Sequence, residues 1–468
     1  MKTIIKNAAS IVTCDGADRV YTKADILVTD GVIAGIGPAL EGTGCEILDG
    51  SGKFVYPGLI NTHHHFFQTF VRNLVKIDFV NLTLIQWLDE IYRIFAQIDS
   101  DTIYWSSIIA MADLLKHGCT TAFDHQYCFT KKTGKSPVDR QMEAARLLGI
   151  RYHAGRGCNT LPRSEGSTIP EEMRETTDEF LADCDRLIDA YHDPRPFAMT
   201  RIVAAPCQPV NCHRDTFLEA AQLARARSAA FGVPGSVRLH THLSEGEDQT
   251  MLDRWGKRTL DWAEETGFVG PDVWYAHGWD ITPDQFAAMS RTGTGVAHCP
   301  TAAALGGSPI LDIPAMTRAG ITVSLGCDGS ATNDSSNLLD ALRLSYMLQC
   351  LHSKSRGGSP SPYDMLKVAT VNGARTLGRG DLGSLEVGKG ADLFMVDTGT
   401  LEFAGTLHDP RNLLARVGCT APVWLTMVAG KVVWRDGEFP GLDERDLAAR
   451  AEAHCTRALR DGFPAVYH

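Results

Sequence analysis

The sequence predicts an α/β fold, a (β/α)8 barrel of the TIM type that carries a small β-sandwich domain formed from both termini. Three observations support it: eight short apolar runs alternate with helix-like segments between residues 55 and 380, β-like runs occupy both ends, and polar side chains close most of the runs. Near-continuous apolar strands alternating with helices indicate parallel strands buried on both faces. Eight such strands favour a closed barrel, with a doubly wound open sheet as the alternative.

The first 57 residues are predicted to be β structure. Two alternating runs flank Asp30-Gly31 in ADILVTDGVIAGIG, which is a hairpin signal. Short apolar strands return at residues 392–398 and 423–439, so the two terminal pieces can pair into one sheet. The predicted domains are residues 1–57 with 380–440 for the β-sandwich, 58–379 for the barrel and 441–468 for a C-terminal helix.

The predicted barrel strands are short apolar runs, each followed by a longer segment of helical pattern. They span residues 55–65, 119–125, 150–157, 199–207, 237–243, 273–278, 294–300 and 321–328. Nearly every run ends in a polar side chain that can bind a ligand: His65, His125, Arg156, Cys207, His242, His277, His298 and Asp328. In a barrel these strand ends converge on one mouth, where active sites lie. This convergence favours the barrel over the open sheet.

The composition excludes several classes of protein. Apolar residues make up 44% and charged residues 22%, which is typical of a globular domain, and the net charge of −11 argues against a nucleic-acid partner. Thirteen cysteines without a CxxC pair predict a reducing cytoplasm rather than a disulfide framework. The pattern of the N-terminal stretch predicts a strand and not a signal peptide. No apolar window approaches the roughly 18 residues of a membrane span, so no membrane partner is expected.

A pair of histidines closes the first predicted barrel strand in Asn-Thr-His-His-His. Side chains two apart on a strand share a face, so His63 and His65 can present imidazoles to one point while His64 points away. Neutral imidazole suits zinc, iron and related divalent metals. For this pair alone, a histidine-rich loop without a metal is the alternative.

Three further elements follow at predicted strand ends. His240 and His242 lie in LHTHLSE, with Glu245 three positions after His242, while His277 closes VWYA and Asp328 lies in LGCDGSATND. Each has a structural alternative when taken alone, since Glu245 could cap a helix and His277 could simply pack. Their shared position at strand ends predicts one metal-dependent catalytic site.

The order HxH, HLxE, His and Asp on strands one, five, six and eight resembles the amidohydrolase superfamily, in its mononuclear metal-dependent deaminase branch. The stretches NTHHHFFQ, YHDP, TGTGVAHCP and DGSATND are similar to the 8-oxoguanine and isoxanthopterin deaminases, and triazine hydrolases share several of them. The resemblance covers essentially the whole chain, including the split β-sandwich domain. MTRIVAAPC on strand four has no lysine to bridge two metals, which favours a single metal.

The resemblance implies that the metal ligands are His63, His65, His242 and Asp328. The implied cofactor is one divalent ion per subunit, Zn²⁺ with Fe²⁺ as the alternative, whose bound water can reach a pKa of roughly 7. In the implied mechanism Asp328 also takes a proton from that water. Glu245 protonates the ring nitrogen and the leaving amine, and His277 positions the nucleophile.

The residues predicted to bind the substrate are Gln68, Arg156, Trp87, Trp279 and His298. Gln68 and Arg156 offer hydrogen bonds to a flat ring, and either tryptophan could stack on it. Related enzymes place a substrate-facing or supporting histidine at the position of His298. Ordinary packing is the alternative for each of these residues.

The function expected from the resemblance is hydrolytic deamination of an amino-substituted nitrogen heteroaromatic ring, such as 8-oxoguanine or a pterin, with release of ammonia. The alternative is a triazine-type hydrolase that displaces an alkylamine or a halide, and a non-catalytic binding barrel is a third. Two departures from the family pattern leave the substrate open: residues 301–307 lack the usual Ser-Asn pair, and Trp279-Asp280 follows Gly278 where relatives carry smaller residues. The expected partners are a small heteroaromatic substrate and further copies of this chain.

Overall fold

The computed structural model describes residues 2–74, 77, 80–82, 84–353 and 358–463, so the end of the predicted C-terminal segment, 464–468, lies outside the described residues. The strands are β1 (Lys2–Val12), β2 (Val20–Thr29), β3 (Val32–Gly37), β4 (Glu46–Asp49), β5 (Lys53–Pro57), β6 (Leu59–Asn61), β7 (Cys119–Gln126), β8 (Arg151–Cys158), β9 (Thr200–Pro206), β10 (Arg238–Leu243), β11 (Val273–His277), β12 (Gly295–His298), β13 (Val323–Leu325), β14 (Leu393–Asp397), β15 (Leu425–Val428) and β16 (Lys431–Arg435).

All the α-helices follow β6, and most of them connect successive strands between β6 and β14. They are α1 (Leu84–Phe95), α2 (Ser100–Lys116), α3 (Pro137–Leu148), α4 (Thr177–Tyr191), α5 (Arg214–Ala230), α6 (Asp248–Trp255), α7 (Thr259–Glu265), α8 (Phe286–Thr292), α9 (Pro300–Leu305), α10 (Ile313–Arg318), α11 (Ser330–Asn333), α12 (Leu338–Ser353), α13 (Pro362–Val368), α14 (Val371–Thr376) and α15 (Glu444–Gly462). No helix in the described part of the chain is long and apolar enough to cross a membrane.

Eight parallel strands, β6 to β13, form the barrel, and each is hydrogen-bonded to the next. The Thr62 N–H donates to the Leu325 carbonyl at 3.0 Å and the Asp328 N–H donates to the His63 carbonyl at 3.1 Å, which joins the last strand to the first. All eight predicted runs supply these strands. The barrel prediction is therefore confirmed, and the open sheet is excluded.

The first predicted run divides into two strands in the structure. Lys53–Pro57 forms β5 of a second sheet, and Leu59–Asn61 forms β6 of the barrel. The break falls at Gly58, where a Cβ would lie 2.1 Å from the Thr120 Oγ1 on β7, so a larger residue cannot approach that strand. Both strands are buried, and a continuous apolar run therefore gives no sign of the division.

The two chain ends build the second sheet together, in the order β16-β15-β14-β5-β1-β2-β3, with β4 paired to β1. The predicted hairpin joins β2 to β3, and Asp30 and Gly31 both have positive φ angles of 50° and 82°, as its tight turn requires. β5 pairs with β1 from the N-terminal part and with β14 from the C-terminal part. The predicted small β domain from both termini is confirmed, and all thirteen cysteines are free thiols.

A buried ion pair ties the barrel to the second sheet. The Arg151 Nε on β8 donates to the Asp392 carboxylate at 2.5 Å, just before β14. Asp392→Ala leaves that guanidinium buried without its counter-charge, so we expect urea titration to show a loss of about 3–5 kcal/mol in the free energy of unfolding. Asp193→Ala is the control, because its partner Arg195 is 81% exposed and the loss should stay below about 1 kcal/mol. Equal losses in the two variants would contradict this account.

Candidate metal centre

The four predicted ligands meet at the carboxyl end of the barrel strands. The His65 Nε2 lies 3.0 Å from the His242 Nε2, and the Asp328 Oδ1 lies 3.3 Å from the His63 Nε2 and 3.4 Å from the His65 Nε2. Ligand atoms bound to one zinc-type ion at about 2.0–2.2 Å are themselves about 3 Å apart. All four side chains are buried. The structure therefore brings these ligand atoms within reach of one ion, and His277 also offers a ligand atom within 4.8 Å of those of His63 and Asp328.

Hydrogen bonds fix which nitrogen of His65 and His242 faces the centre. The His65 Nδ1 lies 2.9 Å from the His125 carbonyl and the His242 Nδ1 lies 2.8 Å from the Cys207 carbonyl, and since a carbonyl only accepts, both Nδ1 atoms donate. Burial lowers the pKa of His65 to about 4 and that of His242 to about 3, so both rings are neutral. Their Nε2 lone pairs therefore face each other at 3.0 Å, an arrangement that a cation between them would stabilise.

His63 receives the same orientation from a neighbouring histidine. The His240 Nδ1 donates to the Trp274 carbonyl at 3.0 Å, which leaves its Nε2 to accept from the His63 Nδ1 at 2.9 Å. The buried His63 Nε2 has no hydrogen-bond partner among the described residues. Three neutral imidazoles and one carboxylate thus direct lone pairs to one point, and this donor set fits a divalent ion.

Three residues around the centre adopt a left-handed backbone that non-glycine residues rarely take. They are Ser244, His277 and Asp328, with φ angles of 54°, 72° and 65°. The Asp328 carboxylate is held by the Gly329 N–H at 2.7 Å and the Thr332 hydroxyl at 3.1 Å. Backbone strain of this kind is kept where the surrounding structure fixes it, and here it turns side chains at the strand ends toward the mouth.

Glu245 lies beside the predicted metal ligands, and its two carboxyl oxygens face different neighbours. Its Oε1 is 3.4 Å from the His277 Nε2, and its Oε2 accepts a hydrogen bond from the Gln208 Nε2 at 2.9 Å. Burial raises the pKa of Glu245 well above its usual value, and the charge of Asp328 adds to the effect. Because Oε2 is occupied as an acceptor, a proton on this carboxyl lies on Oε1, on the side of His277.

Gln208 contacts Glu245 directly and is not among the residues predicted from the sequence. The Asn211 Nδ2 donates to the Gln208 Oε1 at 3.1 Å, so the Nε2 of Gln208 must face Glu245. Asn211 is fixed in turn by the Ser167 hydroxyl at 3.0 Å. Its position could have indicated a place near the site, because Gln208 directly follows Cys207 at a predicted strand end.

Gln208→Leu is expected to lower kcat about ten- to a hundredfold, since it removes a hydrogen bond to a buried carboxyl of the site. KM and metal content should stay near the parent values, because the side chain of Gln208 bonds to Glu245 and Asn211 and not to a predicted metal ligand. Steady-state kinetics and metal analysis measure these quantities. Gln249→Leu is the control, since that glutamine bonds only to the exposed Asp253 at 2.8 Å. A kcat equal to that of the control would contradict the role of Gln208.

Of the residues predicted to bind the substrate, Gln68 lies next to the predicted metal ligands and Trp87 lies in the apolar core. Gln68, in the 3-10 helix Phe66–Val71, donates to the Tyr127 hydroxyl at 3.3 Å and accepts from the Ala331 N–H at 3.3 Å. A Cβ at Gly329 would lie 1.9 Å from the Gln68 Oε1, so this amide packs closely against the residue after Asp328. Trp87 is buried in the main apolar core on α1.

Trp279 and His298 both lie near His277. The Trp279 ring centroid is 4.7 Å from that of His277, and its buried Nε1 has no acceptor in the described part of the chain. Burial lowers the pKa of His298 to about 3, with His277 adding to the effect, so the ring is neutral. Neither ring nitrogen of His298 has a partner among the residues described. Both side chains therefore keep polar atoms free for a ligand.

The prediction that Arg156 contacts the substrate is corrected by its placement. Its Nε donates to Asp183 at 2.8 Å, and its terminal nitrogens bind Glu175 at 2.7 Å. Side chains alternate along a strand, and Arg156 falls on the outer face of β8, where α4 covers it. Its guanidinium is consumed by two carboxylates and does not reach the barrel mouth.

The barrel fold and a buried His/Asp metal-binding site define a metal-dependent hydrolase of the barrel class. The Amidohydrolase family model matches residues 54–433. The chain belongs to the amidohydrolase family, and its relatives include named deaminases and aminohydrolases, so it is a hydrolase that acts on C–N bonds.

Two curated relatives and one solved structure are similar to this chain along nearly its whole length. The hydroxydechloroatrazine ethylaminohydrolase of Pseudomonas sp. (strain ADP) is 53% identical over 98% of this chain and 96% of its own. The 8-oxoguanine deaminase of Pseudomonas aeruginosa is 36% identical over 97% of this chain and 98% of its own. The crystal structure of atrazine chlorohydrolase from Arthrobacter aurescens TC1, complexed with zinc, superposes with a TM-score of 0.89 at 30% identity and covers 97% of this chain and 100% of its own.

Proposed function

We propose that the protein hydrolyses the bond between a ring carbon and an alkylamino substituent on a nitrogen heteroaromatic ring, with an ethylamino-substituted hydroxytriazine as the first candidate substrate. The observation that carries this proposal is the 53% identity to hydroxydechloroatrazine ethylaminohydrolase along nearly the whole of both chains, against 36% to 8-oxoguanine deaminase. From the sequence alone, deamination of an oxopurine or pterin is the first expectation, and displacement of an alkylamine or a halide is its alternative. The comparisons favour that alternative.

The proposed cofactor is one divalent ion held by His63, His65, His242 and Asp328. Zn²⁺ is the first choice, because atrazine chlorohydrolase was crystallised with zinc. The chemistry that such an ion supplies is a nucleophile generated from water at neutral pH. The Asp328 carboxylate, which the Gly329 N–H and the Thr332 hydroxyl hold beside the histidine ligand atoms, would receive the proton released from that water.

Glu245 supplies the proton that the leaving amine requires. A neighbouring ring nitrogen must be protonated for attack, and the amine nitrogen must be protonated as its bond to the ring carbon breaks. Glu245 would give its proton to the ring nitrogen, take up the proton of the hydroxyl added to the ring carbon and pass that proton to the amine. The proton held by Asp328 then restores Glu245. Gln208 occupies the Oε2 of Glu245, so the transferable proton is on Oε1. His277, 3.4 Å from that oxygen, orients the nucleophile relative to it.

An aromatic wall, defined as Phe67, Tyr92, Phe95 and Tyr127, is buried beside the metal centre, and its Tyr127 edge would offer an apolar contact to an alkyl-bearing substrate. The Tyr127 ring centroid is 5.0 Å from that of His65 and 5.3 Å from that of Phe67. The Phe95 ring lies 5.0 Å from that of Phe67 and the Tyr92 ring 6.3 Å from that of Tyr127. An ethyl group gains about 0.8 kcal/mol for each CH₂ buried against such a surface, whereas the amino group of an oxopurine has no alkyl part to bury.

Release of ammonia from an oxopurine or pterin is the second candidate function. It is favoured by the 36% identity to 8-oxoguanine deaminase and the 31% identity to an isoxanthopterin deaminase. Both candidates use the same metal centre and the same carboxyl, and they differ in the group that leaves. The released amine therefore distinguishes them.

The test is a substrate panel with the zinc-loaded chain. Ethylamino-substituted hydroxytriazine, its amino-substituted counterpart, 8-oxoguanine and isoxanthopterin are compared by kcat/KM, with ethylamine and ammonia quantified separately. We expect the ethylamino substrate to exceed the others by at least about tenfold. Ammonia release from an oxopurine or pterin without any ethylamine release would overturn the proposal in favour of the second candidate.

A further inference from the structure

Three neighbouring barrel strands carry an arginine at their beginning. Arg151 opens β8, Arg201 is second in β9 and Arg238 opens β10. In the strand register Arg201 lies opposite His153, and Arg238 lies opposite Val203, which packs in the apolar cluster inside the barrel. Because side chains alternate, Arg201 and Arg238 point to that same inner side. They lie at the amino-terminal end of the barrel, opposite the metal centre.

Only part of this positive charge is paired. Arg151 bonds to Asp392, and Arg379, which follows α14, bonds to Asp381 at 3.0 and 2.8 Å. Arg201 and Arg238 are 5% and 6% exposed, and no carboxylate of the described residues contacts either directly. The charges of Asp381 and Asp193 act on Arg201, and that of Asp272 acts on Arg238, only from a distance. Burial lowers the pKa of both guanidinium groups to about 10, so both remain charged at neutral pH. A buried charge without a counter-charge is costly.

The two unpaired guanidinium groups converge on Gly378. The Arg201 NH1 donates to the Gly378 carbonyl at 3.3 Å, and a Cβ on Gly378 would lie 2.8 Å from the Arg238 NH1. Arg201 also donates to the Pro194 carbonyl at 3.3 Å, and Arg238 to the Pro271 carbonyl at 2.7 Å. The Nε–H of each arginine is buried without an acceptor in the described part of the chain.

Two histidines at this end add further unmatched donors. The His153 Nε2 accepts from the Arg379 NH1 at 3.3 Å, so its proton is on Nδ1, and the His192 Nδ1 accepts from the Ile202 N–H at 3.1 Å, so its proton is on Nε2. Neither N–H has an acceptor among the described residues. The unmatched groups of these two histidines and two arginines are all N–H donors. A set of donors without acceptors is what an anion satisfies.

We propose that the amino-terminal end of the barrel binds one small anion between Arg201 and Arg238, either a halide such as chloride or an oxyanion such as phosphate. The anion accepts the Nε–H groups of the two arginines and neutralises their charge. A surface cavity of about 500 Å³, lined by Arg238, Pro271 and Asp272, borders this site on the side of Arg238. Since the site lies at the opposite end from the metal centre, the bound anion stabilises the fold and takes no part in the reaction.

Thermal unfolding of the full, metal-loaded chain tests this proposal. Gluconate at fixed ionic strength is replaced stepwise by chloride or, separately, by phosphate. One of the two is expected to raise the unfolding midpoint saturably, by about 3 °C at a hundred times its dissociation constant for a chain of this length. Saturation separates binding from a general salt effect, which keeps growing with concentration. A response to chloride identifies a halide site and a response to phosphate an oxyanion site, whereas no saturable response to either overturns the proposal.

Two variants connect the response to these arginines. Arg201→Met and Arg238→Met should each abolish the saturable rise, and in gluconate their midpoints should not fall below the parent midpoint, because each removes an unpaired buried charge. Arg195→Met, which removes an 81% exposed arginine, should leave the rise unchanged. If a variant does not fold, the site is tested instead by diffraction from crystals of the parent chain soaked in bromide or in phosphate. Either anion between Arg201 and Arg238 supports the site, and water alone in both soaks overturns it.

Discussion

Glu245→Gln is expected to lower kcat by about three orders of magnitude and to leave the metal content unchanged. The amide has nearly the shape of the carboxyl but holds no acidic proton on the position of Oε1, and positioned general acids contribute about 10²–10⁴-fold to such reactions. The metal content stays because the ligand lone pairs belong to the three imidazoles and Asp328. Amine release under steady-state conditions and metal analysis of the same preparation measure the two effects.

Glu265→Gln is the matched control for that substitution. This glutamate is 47% exposed, pairs with Lys257 and lies away from the strand ends, so parent activity is expected. A Glu245→Gln variant that keeps more than about a tenth of parent turnover would remove Glu245 from the proton transfer. A variant that loses both metal and turnover would instead assign it to the metal centre.

His242→Ala is expected to release the metal and to lower turnover by at least about a thousandfold. The substitution removes one of the two imidazoles whose Nε2 atoms face each other at 3.0 Å, and an ion left with fewer ligands is bound weakly. The loss of several kcal/mol of transition-state stabilisation corresponds to this factor. Metal per chain, measured by mass spectrometry after dialysis, and amine release are the readouts.

His213→Ala is the control for the loss of a histidine. Its side chain is 44% exposed at the start of α5, so metal and turnover should both remain at parent levels. Circular dichroism of the two variants shows whether the barrel has formed in each. A folded His242→Ala variant with a full complement of metal and normal turnover would contradict the assigned ligand set.

Much of the fold could be predicted because the strands and their ends carry distinct signals. The eight apolar runs became β6 to β13, and the period of two placed His63 and His65 on one face. His64 points away as predicted, with its Nε2 2.8 Å from the Ser336 hydroxyl. These inferences need only the geometry of a single strand and the convergence of strand ends in a barrel.

The role of Arg156 could not be predicted by the same reasoning. Every residue of β8 is buried, so the sequence shows no polar alternation from which the inner face could be recognised. The carboxylates that bind Arg156 come from Asp183 on α4 and from Glu175 before it, and only the packing of that helix brings them together.

Gln208 and His240 show a second limit of sequence reasoning. Gln208 matters because Asn211 turns its amide toward Glu245, and His240 matters because its own bond to a strand carbonyl leaves Nε2 to accept from His63. Each role depends on contacts between different strands and loops. The orientation of an amide or an imidazole is a tertiary property, and residue type and spacing do not determine it.

Anomalous diffraction at the zinc edge, on crystals of the zinc-loaded chain, tests the central claim most directly. The predicted result is one ion per chain at about 2.0–2.2 Å from the Nε2 atoms of three histidines and from a carboxylate oxygen. These ligands are His63, His65, His242 and Asp328. An ion bound elsewhere, or no ion at the mouth of the barrel in a catalytically active preparation, would contradict the account.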